Sequence, residues 1–222
     1  MHHALPLRYV PIPDPRPVAV LLAGGRGRRM GGTDKALLTL AGRPMLAHVR
    51  DRISRQVHAM VINANGDPAR FAALGLPVIP DTIPEFPGPL AGVLAGMRWA
   101  AAHHPAAADI LSVPTDTPFL PADLAVRLCA QRRQPIAVAA SAGRLHPVVA
   151  LWPVALADAL EAALRAGERK VQAWMRRQGL SEVAFTVPAS GDPFANINTP
   201  DDLLAAEARL TRRTGPAPCD RP

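Results

Sequence analysis

Three observations predict a single three-layer α/β domain built on a mostly parallel sheet. Short apolar runs alternate with helical patterns along the chain, a glycine-dense loop follows the first run, and 222 residues suffice for one sizeable core but hardly two. Val18–Leu22 is a continuous apolar run of strand length, as a strand covered on both faces requires. Met45–Gln56 is amphipathic at helical spacing, and His58–Asn63 reads as the second strand. Pro68–Leu74 is a short helix following Asp67, and Pro77–Pro80 a brief strand. Leu90–His103 is a helix permitted by its run of small residues, and Asp109–Val113 a strand that stops at Pro114-Thr-Asp.

Asp123–Arg133 is helical, with Pro121 near its start. Pro135–Ala140 and His146–Trp152 read as strands, Val154–Ala166 and Lys170–Gln178 as helices, Glu182–Val187 as a strand and Pro200–Leu210 as a closing helix. Residues 1–16 are a proline-rich, flexible extension, 17–210 the domain, and 211–222 a disordered tail. Ligands of such sheets gather at the carboxyl ends of the strands, where the strand order reverses.

Bulk properties narrow the function. No apolar run is long enough to span a bilayer, and the first residues lack a hydrophobic signal core, so a cytoplasmic protein without membrane association is expected. Cys129 and Cys219 form neither a disulfide framework nor a CxxC pair; Cys129 reads as a packed thiol on a helix. The net charge of +7 invites a nucleic-acid reading, but aromatics at 4% leave few stacking platforms and the arginines are scattered. A solvated arginine-rich surface accounts for the charge, and no nucleic-acid partner is expected.

One cluster is different. Gly24 and Gly25 open a loop that carries Arg26, Arg28 and Arg29 and closes on Lys35. Glycines let the main chain turn its N–H groups onto a ligand, and crowded cations repel unless an anion neutralises them. A polyphosphate is the natural guest. The loop is neither a P-loop, since Lys35 precedes Ala36, nor a dinucleotide fingerprint, since Met30 stands near where a third glycine is needed. Asp116 leaves a strand end and suits Mg²⁺, which takes one or two carboxylates together with phosphate oxygens; a turn cap is the alternative, and Asp81 carries the same ambiguity. Asn63 ends a strand and could read a base or ribose edge, or close an Asx-turn. Gly88, in a proline-bounded turn before a helix, could wall a purine pocket or serve only as a helix entry. His146 reads first as a packed histidine, and Asn196 and Asn198, alternating around Ile197, project to one side.

Taken in order, Leu22-Ala-Gly-Gly-Arg-Gly-Arg-Arg-Met-Gly-Gly-Thr-Asp-Lys35, Val61-Ile-Asn-Ala-Asn65, Pro87-Gly-Pro-Leu-Ala-Gly92, Pro114-Thr-Asp-Thr-Pro118, His146-Pro147, Gly167-Glu-Arg-Lys170 and Asn196-Ile-Asn-Thr-Pro200 closely resemble the molybdenum cofactor guanylyltransferases. The resemblance spans roughly residues 18 to 210 and implies a Rossmann-like nucleotidyltransferase fold. It implies transfer of GMP from Mg-GTP to the phosphate of molybdenum-molybdopterin, with release of pyrophosphate. By position, Leu22, Ala23, Gly24, Gly25, Asn63, Asp81 and Gly88 would bind GTP, Lys35 and Arg29 its phosphates, and Asp116 the Mg²⁺. His146, Arg169, Lys170, Asn196 and Asn198 would fall on the molybdopterin side. Implied protein partners are molybdenum-insertion proteins and molybdoenzyme chaperones, with the enzyme itself a monomer. Lys170 stands where arginine is usual, and lysine lacks the bidentate fork. The rivals are a cytidylyltransferase serving the same cofactor, a sugar-1-phosphate nucleotidyltransferase, and a basic nucleic-acid binder without enzymatic activity.

Overall fold

A computed structural model describes residues 16–24, 35–83 and 88–214. The chain runs β1 (Val18–Leu22), a two-stranded hairpin β2 (Thr39–Leu40) and β3 (Arg43–Pro44), α1 (Met45–Ile53), β4 (Ala59–Asn63), β5 (Val78–Ile79), α2 (Pro89–His103) and β6 (Asp109–Pro114). It continues with α3 (Leu124–Gln131), β7 (Ile136–Ser141), β8 (Arg144–Pro153), α4 (Ala157–Arg165), α5 (Val171–Gln178), β9 (Leu180–Ala184) and α6 (Pro200–Thr214). Seven strands form one sheet in the order β5-β4-β1-β6-β8-β7-β9, and only β8 runs against the others. The expected mostly parallel sheet is therefore present. The strand near residues 182–187 starts at Leu180, and the closing helix continues to Thr214 instead of ending at Leu210. The expectations for residues 1–15 and 215–222 lie outside the described residues.

The central strands are apolar on both faces because both faces are covered. Ala19 and Leu21 join Ile62, Leu111 and Val113 in a core layer beneath α1 and α3, while Val18, Val20, Val61 and Ile110 pack with α2, α4 and α5. Burying each Leu, Ile or Val contributes about 1.5–3 kcal/mol against the entropy of ordering the chain. Asp67 caps the 3-10 turn Pro68–Leu74 through a 2.9 Å bond from the Ala69 N–H, and Gly75 ends it in a left-handed conformation. Cys129, by contrast, is exposed on α3, not packed; Leu128 and Ala125 supply the buried side of that helix.

Register sets the site. Leu22 of β1 is level with Asn63 of β4 and Pro114 of β6, and Asn63 with Ile79 of β5. Four parallel strands thus end in one row, and the chain turns out of the sheet just beyond it. Gly24, Asn65, Asp81 and Asp116 each stand two residues past that row. The strand order also reverses here, since the chain moves outward from β1 to β4 and β5 before returning to β6 on the other side.

Helix α2 seats deeply against this row because two of its residues have no side chain. A Cβ on Gly96 would lie 2.2 Å from Cγ2 of Val20, and one on Gly92 2.2 Å from Oδ1 of Asn63. Those separations fall far inside the roughly 3.5–4.0 Å of a favourable contact. Ala at position 96 gains about 1 kcal/mol of helix propensity but overfills a closed layer, which typically costs about 1–3 kcal/mol or more. Gly96→Ala is expected to be net destabilising, read as a lower urea midpoint at unchanged slope.

Candidate active site

The sheet row and a hydrophobic satellite cluster together build the first half of the site. Lys35 opens a 3-10 turn, Lys35–Leu37, that precedes the β2–β3 hairpin; Ala41 and Gly42 both have positive φ at its tip. Leu40 of this hairpin packs with Met45, Phe119, Ile197 and Ala206 in a small core of its own. Phe119 lies three residues after Asp116, and Ile197 lies between the two asparagines. This apolar floor therefore gathers three segments remote in sequence, and their polar residues meet above it.

The Lys35 ammonium donates to Oδ2 of Asp116 and to Oδ1 of Asn198. Asn196 Nδ2 donates to Oδ1 of Asp116 at 3.0 Å, and the Ile197 N–H donates to the Asp116 carbonyl at 3.0 Å. Lys35 and Asp116 side chains are 15% and 16% exposed, so the ion pair is partly desolvated yet open on one side to an incoming group. Asp116 does not cap its turn; the Thr117 hydroxyl bonds the Pro114 carbonyl at 3.1 Å and shapes it instead. Ile197 points into the floor, so Asn196 and Asn198 do project to one side as alternation requires.

Asn198 is held from behind. Asp202 Oδ2 accepts the N–H groups of Asn198 at 2.8 Å and Thr199 at 2.9 Å, and the Thr199 hydroxyl accepts the Asp202 N–H at 3.1 Å. This reciprocal cap opens α6, and the Asn198 N–H with the Thr199 groups holds the Asp202 carboxyl below its ordinary value.

A second polar group lies at the other end of the row. Asp81 accepts from Asn63 Nδ2 at 3.0 Å and from Asn65 Nδ2 at 2.7 Å. Asn63 is 3% exposed and wedged against Gly92, so its side chain has one place to go. Leu22 ends β1, and the Ala23 N–H is committed to the Asn63 carbonyl at 2.9 Å. Gly24 is exposed, and Gly88, at φ 140°, precedes α2; among the described residues nothing lies within 4 Å of where a Cβ would stand on either. Asp81 follows β5 and Asp116 follows β6, strands three neighbours apart whose axes lie roughly 14 Å from each other at the usual spacing. Arg29 and Gly25 lie outside the described residues.

The remaining candidates form a third region. Pro147, Val148, Lys170, Val171, Gln172, Ala173 and Arg176 line a groove of about 490 Å³ between β8 and α5. Its turn is preorganised by Glu168, whose carboxylate accepts the N–H groups of Arg169 at 2.8 Å and Lys170 at 2.7 Å and pairs with Arg177. Arg169 folds back, its Nη1 donating to the Glu168 carbonyl at 2.9 Å. His146 is a packed ring: it stacks on Phe194 at 4.7 Å, and Nε2 meets the Ser141 hydroxyl at 2.7 Å. That hydroxyl donates to Asp192 at 2.9 Å, so Nε2 carries the proton toward Ser141. Burial holds the His146 imidazole below its ordinary value, against the opposing pull of Asp192. Arg209 ties the same loop to α6, donating to the carbonyls of Asp192 and Gly191 at 2.8 and 3.0 Å and lying over the Phe119 ring at 3.9 Å.

The family model described as MobA-like NTP transferase domain matches residues 19–183. This match, with the strand-end site, makes the chain a nucleotidyltransferase. A molybdenum cofactor guanylyltransferase of Rhodopseudomonas palustris is 54% identical over 203 residues, spanning 89% of this chain and 96% of its own. One from Acidiphilium cryptum is 56% identical over 191 residues, spanning 86% and 93%. The crystal structure of molybdopterin-guanine dinucleotide biosynthesis protein A from Archaeoglobus fulgidus superposes with a TM-score of 0.68 at 25% identity, over 88% of this chain and 99% of that one. The chain belongs to the molybdenum cofactor guanylyltransferase family.

Sequence reasoning set Lys35 and Asp116 at one triphosphate and Asn196 and Asn198 on the molybdopterin side; the structure brings all four side chains together. Thr199-Pro200-Asp-Asp reads in the sequence as a helix N-terminus with first-turn acids, as the structure has it. The hold of Asp202 on Asn198 was not foreseen, and Ser141 and Asp192, 51 residues apart, left no local signal. Glu168 yields a pH test. Its pKa is lowered from 4.5 to about 2, first by Arg177 and then by the Lys170 N–H. A depressed carboxylate contributes stability that is present above about 4.5 and lost as pH falls toward 2. NMR titration of the Glu168 carboxyl is expected to give a midpoint near 2, moving back toward 4.5 in Arg177→Ala.

Proposed function

We propose that the chain transfers GMP from Mg-GTP to the phosphate of molybdenum-molybdopterin, giving the guanine dinucleotide form of the cofactor and pyrophosphate. The convergence of Lys35, Asp116, Asn196 and Asn198 at the strand ends carries this reading, because it concentrates hard oxygens and one ammonium where a triphosphate would lie. In this arrangement an oxygen of the acceptor phosphate attacks the α-phosphorus of GTP, the α–β bridging bond breaks, and the electron pair leaves on pyrophosphate. The nucleophile is already anionic at neutral pH, so no general base is required. His146 and Ser141 fit that requirement, since His146 donates to Ser141, whose hydroxyl is spent on Asp192.

The donor set fits Mg²⁺. Asp116 and Asn198 present oxygen atoms that already stabilise one cation, the Lys35 ammonium, which stands where positive charge is needed. Among the described residues no group of three or more His, Cys, Asp or Glu could hold a metal, which suits an ion that completes its shell with water and phosphate oxygens. Asp116 would hold the ion, and the chemistry it supplies when bound is neutralisation of charge on the transferring phosphoryl group. Lys35 would move from Asp116 onto the phosphates, with Asn198 keeping its ammonium on the correct side. Leu22, Ala23 and Gly24 would pass under the nucleotide, with Asn63 and Asp81 toward its base. The Lys170 groove beside His146-Pro147 would receive the pterin. Lysine there supplies a point charge where arginine would supply a fork.

The test is incubation with Mg-GTP and molybdenum-molybdopterin, followed by detection of the guanine dinucleotide and pyrophosphate. Lys35→Ala and Asp116→Ala are expected to keep the wild-type circular dichroism spectrum and lose about a hundredfold or more in turnover. Chelation by EDTA is expected to stop turnover and added Mg²⁺ to restore it. Wild-type rates in either variant, or preferential use of CTP, would overturn the proposal.

A further inference from the structure

Asn65 touches neither the ion pair nor the hydrophobic core, yet its side chain closes a ring with Asp81. Its Oδ1 accepts the Asp81 N–H at 2.9 Å while its Nδ2 donates to Asp81 Oδ2 at 2.7 Å. A backbone N–H can only donate, so the amide orientation is fixed by chemistry and the Nδ2 must face the carboxylate. Asn63 Nδ2 donates to the other oxygen, Oδ1, at 3.0 Å. Each carboxylate oxygen has two lone pairs, so each keeps one for a ligand. Asp81 is partly exposed two residues past the strand row, so among the described residues its two oxygens offer a pair of adjacent acceptors.

That pattern matches one base. On its Watson–Crick edge guanine presents two adjacent donors, N1–H and N2–H. Adenine and cytosine each set one donor beside one acceptor there, and an acceptor facing a carboxylate is repelled. We infer that Asn65 is a positioning residue that fixes the Asp81 carboxylate as a two-pronged acceptor and so sets the preference for guanine. The inference rests on the GTP reading above and deepens it. Asn65 is itself anchored: Arg70 Nη2 donates to its carbonyl at 2.7 Å and Nη1 to the Asp67 carbonyl at 2.7 Å, which pins the turn without using the amide. Asn65 is exposed, so its replacement opens no cavity in the core.

The test is a set of dissociation constants for Mg-GTP, Mg-ITP and Mg-CTP with wild type, Asn65→Ala and Asn65→Asp. ITP lacks the 2-amino group and reports one prong alone. Asn65→Asp keeps an acceptor for the Asp81 N–H but loses the donor and sets a like charge against the carboxylate. Wild type is expected to prefer GTP over both competitors. In both variants the GTP:ITP and GTP:CTP preferences are expected to fall tenfold or more, through weaker GTP binding and not stronger binding of the others. Variants that bind all three nucleotides more weakly but keep the wild-type ratios would overturn the positioning role and leave the GTP reading standing. A wild type without preference for GTP would overturn both.

Discussion

Asp116 is the point through which the molecule is joined. Its carboxylate meets Lys35 from 81 residues upstream and Asn196 from 80 residues downstream, and its carbonyl accepts the Ile197 N–H. Removing the acidic side chain would leave a partly desolvated ammonium and an amide facing each other without the charge that reconciles them. The cluster of Leu40, Phe119 and Ile197 beneath does not depend on that charge, and it holds the three segments at a fixed height. In the proposed reaction this apolar floor would keep the backbone in place while Lys35 leaves Asp116 for the phosphates.

Parallel register extends the same logic across the sheet. Because β1, β4, β5 and β6 end level, a carboxylate two residues beyond β5 and another two residues beyond β6 stand at one edge of the sheet. The two acids nevertheless sit in different company. Asp116 is paired with a cation and is suited to phosphate and metal, whereas Asp81, among the described residues, receives neutral amide donors on its carboxylate and is suited to the N–H groups of a base. On the proposed reading, one sheet edge thereby offers distinct chemistry to the two ends of one nucleotide. Helix α2 can lie close enough to fix Asn63 only because Gly92 and Gly96 leave room.

Much of this was legible in the sequence. Strands covered on both faces read as unbroken apolar runs, so Val18–Leu22 and Asp109–Pro114 were found to within a residue, and the acids following them were natural candidates. The β2–β3 hairpin escaped because its strands are two residues long and Ala41, not only a glycine, occupies the positive-φ turn. Residue 180 opens β9 because pairing with β7 overrides weak local propensity. Cys129 was misread because helical periodicity gives the stripe but not its edge. Other partners of the site residues were hidden for a simpler reason: Ser141–Asp192 and Asn196–Asp116 are joined by topology, and no spacing rule encodes them. Asn65 was in view within Val61-Ile-Asn-Ala-Asn, but its bond to Asp81 depends on β4 and β5 being neighbours.

The most direct measurement is a crystal structure with Mg²⁺ and a non-hydrolysable GTP analogue. The account requires the metal on the Asp116 carboxylate, the Lys35 ammonium on phosphate oxygens, and the guanine edge against Asp81. A nucleotide bound with its base beside Asp116, or bound away from the ends of β1, β4, β5 and β6, would contradict it.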